Sequence, residues 1–288
     1  MSEDRLLTLG YEIVHMHGVK VLLPPLVLIP GGHFLLGSDP AEDPESYDDE
    51  QPQHQIIIHD FYLAKYPVTV AEYQCAVDAG AVSIPEPQVM SFGTASAGLE
   101  HHQPNFLTWE EQQAHPDFPV RALKNWFEAY RYTQWLAALT GQSWRLSTEA
   151  EWERAAKGTD HRRYPWGNEW EPERVQSRLN QEKIWGIGPV GTHPQGASPY
   201  GVEDLAGNVS EWTSSLYRAY PYNPLDGRED PLIQGEYVVS KGGSWLSDPD
   251  QMRTTYRDDD GNWVNGGFRL ACSSGEFNKF EPAREEKT

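Results

Sequence analysis

Glycine and proline punctuate this chain so closely that few stretches have room for a long helix or strand: 25 Gly and 22 Pro stand among 288 residues. Proline removes a backbone donor and fixes φ, and glycine weakens the interior of either regular element, so this spacing predicts a loop-rich domain of short elements. Such a domain must draw its core from few residues. Apolar side chains make up 38% of the chain, below the usual share, but 11 Trp, 14 Tyr and 9 Phe bury a large area each. The length suits one large irregular domain.

Residues 1–25 read as a lead-in in which LLTLGYEIV and VKVLL form strands, closed by Pro24 and Pro25. VLIPGGHFLLGSD then predicts a hairpin about a Gly-Gly turn, and the acidic stretch 40–53 an exposed loop. VAEYQCAVDAG has helical spacing and stops at Gly80. Residues 81–118 lack periodicity and read as a loop insertion, with His101, His102 and His115 on its surface. NWFEAYRYTQWLAALTG predicts the clearest helix, with Trp126, Tyr130, Trp135 and Leu136 on one face and Gly141 at its end. In WRLSTEAEWERAAKG, Ser147 or Thr148 caps a helix that Gly158 closes, and Glu149, Glu151 and Glu153 are expected on caps and solvated faces. From residue 164 onward turns and short strands follow, and 274–288 form a polar tail.

The net charge is 23 − 43 = −20. That argues against nucleic acid and against an acidic membrane surface as partners, both of which need a basic face. The two cysteines, Cys75 and Cys272, are far apart and fit neither a disulfide framework nor zinc spacing. The first residues lack a basic start and an apolar run, and VLLPPLVLIP is too short to span a bilayer, so a cytoplasmic location is expected.

Eight segments, in order, resemble the formylglycine-generating-enzyme (sulfatase-modifying factor) family: IPGGHFLLGSD, KYPVTVAEYQ, FPVRALKNWFEAYRYTQWL, WRLSTEAEWERAAKG, YPWGNEW, GVEDLAGNVSEWTSSL, KGGSW and GFRLA. The likeness covers about residues 26–273. It implies an α+β, C-type-lectin-like fold with little regular secondary structure. It does not by itself imply chemistry, because this fold carries oxidases and binding proteins alike.

The family's oxidase holds copper with two cysteines just after the GGSW-like motif, where soft thiolates suit Cu(I). Here Ser247 resembles the first of them, and Trp245 to Ala271 contain no cysteine, so neither copper nor formylglycine chemistry is expected. The resemblance also implies structural calcium at Gly207, Asn208, Val209 and Glu211, and at a second, looser site begun by Asn180 and Gln181. The alternative is that Asn208 and Glu211 cap turns and pair with arginines.

KGGSW and GFRLA are expected as paired strands that fix the ends of a loop. Arg253, Arg257 and Arg269 are expected to serve the core. Trp245, Ser247, Asp248, Asp250, Tyr256, Asp258, Asp259, Asp260, Asn262, Trp263 and Asn265 then form a surface of short polar groups around aromatics, with Trp109 or Trp185 nearby. Variable proteins of diversity-generating retroelements share this fold and carry binding residues between the same two motifs. Asp, Ser, Tyr and Asn are reachable from an Asn codon by changing adenines, although Gln251 and Trp263 are not. The expected function is a binding module for a neutral to basic protein or small molecule. The alternative is a metal-dependent oxidoreductase acting on a thiol.

Overall fold

The computed structural model describes residues 2–85, 108–180, 186–230, 232, 236–259 and 265–274. The chain opens with helix α1 (Ser2–Thr8), where a strand was expected to begin, followed by β1 (Glu12–Met16) paired antiparallel with β2 (Val19–Leu23). This lead-in packs on the body of the domain: Leu6, Tyr11 and Leu22 are buried with Tyr66, Ala71, Cys75 and Val190.

The expected hairpin over 26–39 does not form. β3 (Leu26–Ile29) pairs with β6 (Phe61–Ala64), whereas β4 (Gly32–Leu36) pairs with β5 (His54–Ile58) in a separate two-stranded sheet. Pro30 and Gly31 separate the two strands instead of turning one onto the other. A Cβ on Gly31 would stand 2.5 Å from the carbonyl of Ile58, so the chain passes too close to β5 for any other residue.

Helix α2 (Val70–Asp78) begins at a capping box in which Thr69 and Glu72 bond each other's backbone. Its buried Cys75 lies in the cluster that holds the lead-in. Helix α3 (Trp109–Gln113) lies inside the expected loop insertion, with Trp109 turned into the core rather than toward a ligand surface. His101 and His102 fall outside the described residues; His115 packs its ring on Phe118 at 4.7 Å.

Helix α4 (Trp126–Thr140) ends at Gly141 with φ of 68°. Its fully buried aromatic is Tyr132, one turn from Ala129 and Leu136, while Tyr130 and Trp135 sit at the edge of the stripe. β7 (Trp144–Leu146) leads to α5 (Glu149–Lys157), capped by Thr148 with Glu151 reaching back. Glu149 and Glu153 are not solvated: both are 0% exposed because cations from distant segments meet them.

Two sheets organise the rest. Four antiparallel strands run β3-β6-β11-β7, with β11 at Leu270–Ser273. Leu270 and Cys272 point into the cluster of α2 and α4, and Ala271 into the cluster of α5 with Trp152, Ala155 and Ala156. A second sheet runs β10-β8-β9, from Gly266–Phe268, Ser210–Leu216 and Val238–Lys241. The chain therefore crosses from one sheet to the other at a single residue, Arg269. KGGSW and GFRLA are not paired with each other, because β8 lies between β9 and β10. Among the described residues no helix is long and apolar enough to cross a membrane.

Candidate functional site

Arg269 donates through every nitrogen. It reaches the carbonyls of Ala64, Lys65 and Glu203 and both oxygens of Glu211, the nearest at 2.6 Å. Trp152 Nε1 adds a bond to Glu211 Oε2 at 2.7 Å. The carboxylate expected to hold calcium is thus committed to an arginine and an indole. Asn208, at φ 59°, exchanges both amide bonds with the backbone of Gly188, and its carbonyl accepts from Trp245. Both oxygens of Glu211 are therefore engaged inside the fold, and a calcium ion held by 207–211 would share that carboxylate with Arg269. Val209 is buried at 1% exposed. Asn180 is buried too, and Gln181 lies outside the described residues.

After β9 the chain turns through Gly242 and Gly243, at φ of 85° and 61°. A Cβ on either would meet a backbone carbonyl at 2.7 Å, from Leu205 and Gln251 respectively, so this close approach requires glycine twice. Ser244 and Ser247 then bond across a tight turn, with Ser247 Oγ accepting from Ser244 N at 3.0 Å. Asp248 and Gln251 close a short 3-10 turn over Pro249–Met252. Met252 anchors it in a pocket with Tyr164, Val175 and Ala206.

Two arginines hold the return. Arg253, 0% exposed, bonds Glu50 twice, at 2.6 and 2.7 Å, and Asp43 at 2.9 Å. Burial would lower its proton affinity, but Glu50 and Asp43 more than reverse this. Arg257 lies between the rings of Tyr217 and Tyr220, 4.5 and 4.4 Å from their centroids, with its Nε 2.7 Å from Glu149. The acidic stretch 40–53, expected to be exposed, is thus a wall of this site. Asp43 and Glu50 are drawn inward by the charge of Arg253.

The side chains left facing outward form a connected patch. Arg178 bonds Asp248 at 2.5 Å and the carbonyl of Leu246 at 2.7 Å. Tyr47 donates to Asp250 at 2.5 Å, and its ring meets that of Tyr256 edge-on at 5.8 Å. Tyr256 in turn donates to Asp258 at 3.3 Å. Asp250 holds the Tyr47 proton in place, and burial followed by Asp258 does the same for Tyr256. Asp259 is exposed. Asp260, Asn262, Trp263 and Trp185 lie outside the described residues. At the inner end, half-buried Trp245 donates to Asn265 Oδ1 at 3.1 Å, and Asn265 itself is 0% exposed. Tyr47, Arg178 and Arg121, the last beside Asn265, were not singled out from the sequence; no local pattern marks them.

Among the described residues no three His, Cys, Asp or Glu side chains gather as a metal set. Cys75 and Cys272 are both buried and free, in different core clusters. Burial pushes the Cys75 thiol up, away from the reactive thiolate.

Residues 15–274 match the sulfatase-modifying factor enzyme 1-like domain, and the chain belongs to that family. Its sequence is 34% identical to hercynine oxygenase of Mycobacterium tuberculosis over 268 residues, covering 83% of this chain and 58% of that protein. The chain thus spans under two thirds of the length of that curated relative. It is 29% identical to inactive C-alpha-formylglycine-generating enzyme 2 of Mus musculus, covering 88% of this chain and 87% of that one. Among solved structures, PvdO from Pseudomonas aeruginosa superposes with a TM-score of 0.68 at 22% identity, covering 91% of this chain and 98% of that one. Treponema denticola variable protein 1 does so with 0.63 at 20%, covering 91% and 99%. These likenesses give the fold: an α+β, C-type-lectin-like domain of the formylglycine-generating type.

Proposed function

We propose that this chain is a recognition module of the sulfatase-modifying-factor family, binding a small molecule or a peptide on the surface between Trp245 and Asn265. The observation that carries this reading is the contrast between the surface and its support. Arg253 and Arg257 are locked by Glu50, Asp43 and Glu149, while Tyr47, Asp248, Asp250, Tyr256 and Asp258 face outward on that rigid base. Preorganised polar and aromatic groups on a fixed scaffold suit binding, since little order is lost on contact. Where a copper oxidase needs a thiolate, Ser247 stands with its hydroxyl engaged by Ser244. The carboxylates favour a neutral to basic partner.

The test is a thermal-shift panel of amino acids and short peptides of graded charge, against wild type and a Tyr256→Ala/Asp250→Ala variant. Saturable shifts with neutral or basic members, lost in the variant, support the reading. Conversion of a cysteine peptide to formylglycine with added copper and oxygen would overturn it.

A second reading, a metal-dependent oxidoreductase acting on a peptide or small-molecule thiol, is favoured by the 34% identity to hercynine oxygenase. It requires metal ligands from beyond the described residues. Oxygen consumption in the presence of added iron or copper and a thiol would support it. Whether 245–265 are diversified is read from the presence or absence of a template repeat beside the gene.

A further inference from the structure

Among the described residues six arginines are 9% exposed or less: Arg121, Arg154, Arg228, Arg253, Arg257 and Arg269. A buried guanidinium is costly unless an acceptor answers its charge. Four of the six have a carboxylate: Asp226 for Arg228, Glu50 and Asp43 for Arg253, Glu149 for Arg257, and Glu211 for Arg269. Arg154 lies beneath the carbonyls of Pro30, Gly31 and Gly158. Arg121 has neither. Its guanidinium makes one long bond, from Nη1 to Asn265 Oδ1 at 3.4 Å.

The surroundings of Arg121 are short of acceptors. Arg121 Nε and Asn265 Nδ2 are both buried without a partner. Trp245 Nε1 points at the same Asn265 oxygen as Arg121 does, at 3.1 Å. Two side chains thus share one acceptor oxygen, while the amide N–H group of Asn265 itself is left without one. Arg121 is also held in place: Gln112, 2% exposed, bonds its backbone N–H at 3.1 Å and its carbonyl at 3.0 Å. Among the described residues, a positive charge is therefore kept buried and fixed with no carboxylate at ion-pair distance, beside the inner end of the surface described above. Burial pulls its proton affinity down to about 10, partly offset by Glu111, as a missing counter-charge requires.

We propose that Arg121, Asn265 and Trp245 form the seat of a ligand carboxylate. The proposal rests on the recognition reading above and names one chemical group of the ligand. A guanidinium fork matches a carboxylate in two parallel bonds, and the orphaned amide and the indole add donors around it. The half-buried Trp245 sets the seat at the edge of the surface, within reach of a bound molecule. The chain's −20 charge and the carboxylates at 248, 250, 258 and 259 oppose a polyanion. The fitting ligand is therefore an amino-acid-like molecule or a peptide C-terminus, with its single carboxylate on Arg121.

Melting temperatures of wild type and Arg121→Met, with glycine, acetate and inorganic phosphate as probes at matched ionic strength, test this. Glycine and acetate should raise the wild-type Tm saturably and leave Arg121→Met unmoved, because only the folded wild type binds them. Arg121→Met should itself melt at or above wild type, since it removes an uncompensated charge. A titration of the wild-type Trp245 indole N–H by NMR, assigned with Trp245→Phe, reads the seat even if Arg121→Met fails to fold. Carboxylates that move neither Tm nor the indole overturn the proposal. So does a response to phosphate alone. Carboxylate shifts that persist in Asp250→Ala/Tyr256→Ala support the seat even where the wider surface recognises none of the panel.

Discussion

Arg269 and Arg121 flank the same sheet and are both buried, yet one meets an acceptor at every nitrogen and the other makes a single long bond. Arg269 stands where the chain steps from β10 to β11 and binds three carbonyls and Glu211. Its charge is spent on joining two sheets and α5. Arg121 lies in the segment beside β10, where Val120 N bonds the carbonyl of Val68, and its guanidinium joins little. The difference separates two uses of a buried cation. Where all its donors are met inside the fold, it is a fastener; where they are left open at the edge of a surface, it is a receptor for something the fold does not supply.

The largest test of that contrast falls on the fastener. Glu211→Gln would leave Arg269 buried without a counter-charge and remove one acceptor oxygen from Trp152 or Arg269. We expect a loss of about 3–5 kcal/mol in chemical denaturation. A loss under about 1 kcal/mol would mean that Arg269 is held by its carbonyls alone, and the contrast with Arg121 would fail.

Acids extend the comparison. Burial would raise the Glu153 carboxyl, but Lys241 and Lys157 hold it below the usual range. Glu72, bonded to Thr69 and without such a lysine, is raised by burial to about 8 from 4.5. Below pH 4.5 the carboxyl is protonated in both the folded and unfolded chains, and its contribution to stability is complete. As pH rises toward 8 the unfolded chain ionises first, so folding loses free energy across that window. Asp204, raised by burial to about 6, adds to the loss only at lower pH. Between pH 6 and 8, Glu72→Gln should therefore flatten the decline by a few kcal/mol relative to wild type. Parallel stability curves for the two proteins would show that the folded state ionises Glu72 without cost.

Features written locally were legible from sequence. Gly80 and Gly141 lie where their helices stop, at φ of 68° each, and the Thr148 cap is visible as Thr-x-x-Glu. The Gly-Gly pair before Ser244 was legible as a motif, though not as two carbonyl contacts. What failed was pairing at a distance. VLIPGGHFLLGSD carries every hairpin signal, yet each strand finds its partner beyond residue 53. Glu149 and Glu153 resemble a solvated helix face because their cations, Arg257 and Lys241, lie 108 and 88 residues away. The site divides in the same way. Asp248, Asp250 and Tyr256 were legible because they sit between two motifs, while Tyr47 reaches Asp250 across 203 residues and Arg178 reaches Asp248 across 70.

The smallest effect expected sharpens the comparison from the exposed side. Tyr47 is 44% exposed and shares one hydrogen bond with Asp250, in water, where an unmade bond is replaced by solvent. Tyr47→Phe and Asp250→Ala should each change stability by no more than about 0.5–1 kcal/mol, with a coupling of similar size in the double variant. The same pair should nevertheless alter ligand shifts, because a group that contributes little to folding is free to serve binding. A coupling above about 2 kcal/mol would place Tyr47 with the fasteners. The 40–53 segment would then be held to the loop from outside as well as through Arg253, and the patch would be part of the scaffold rather than the surface it presents.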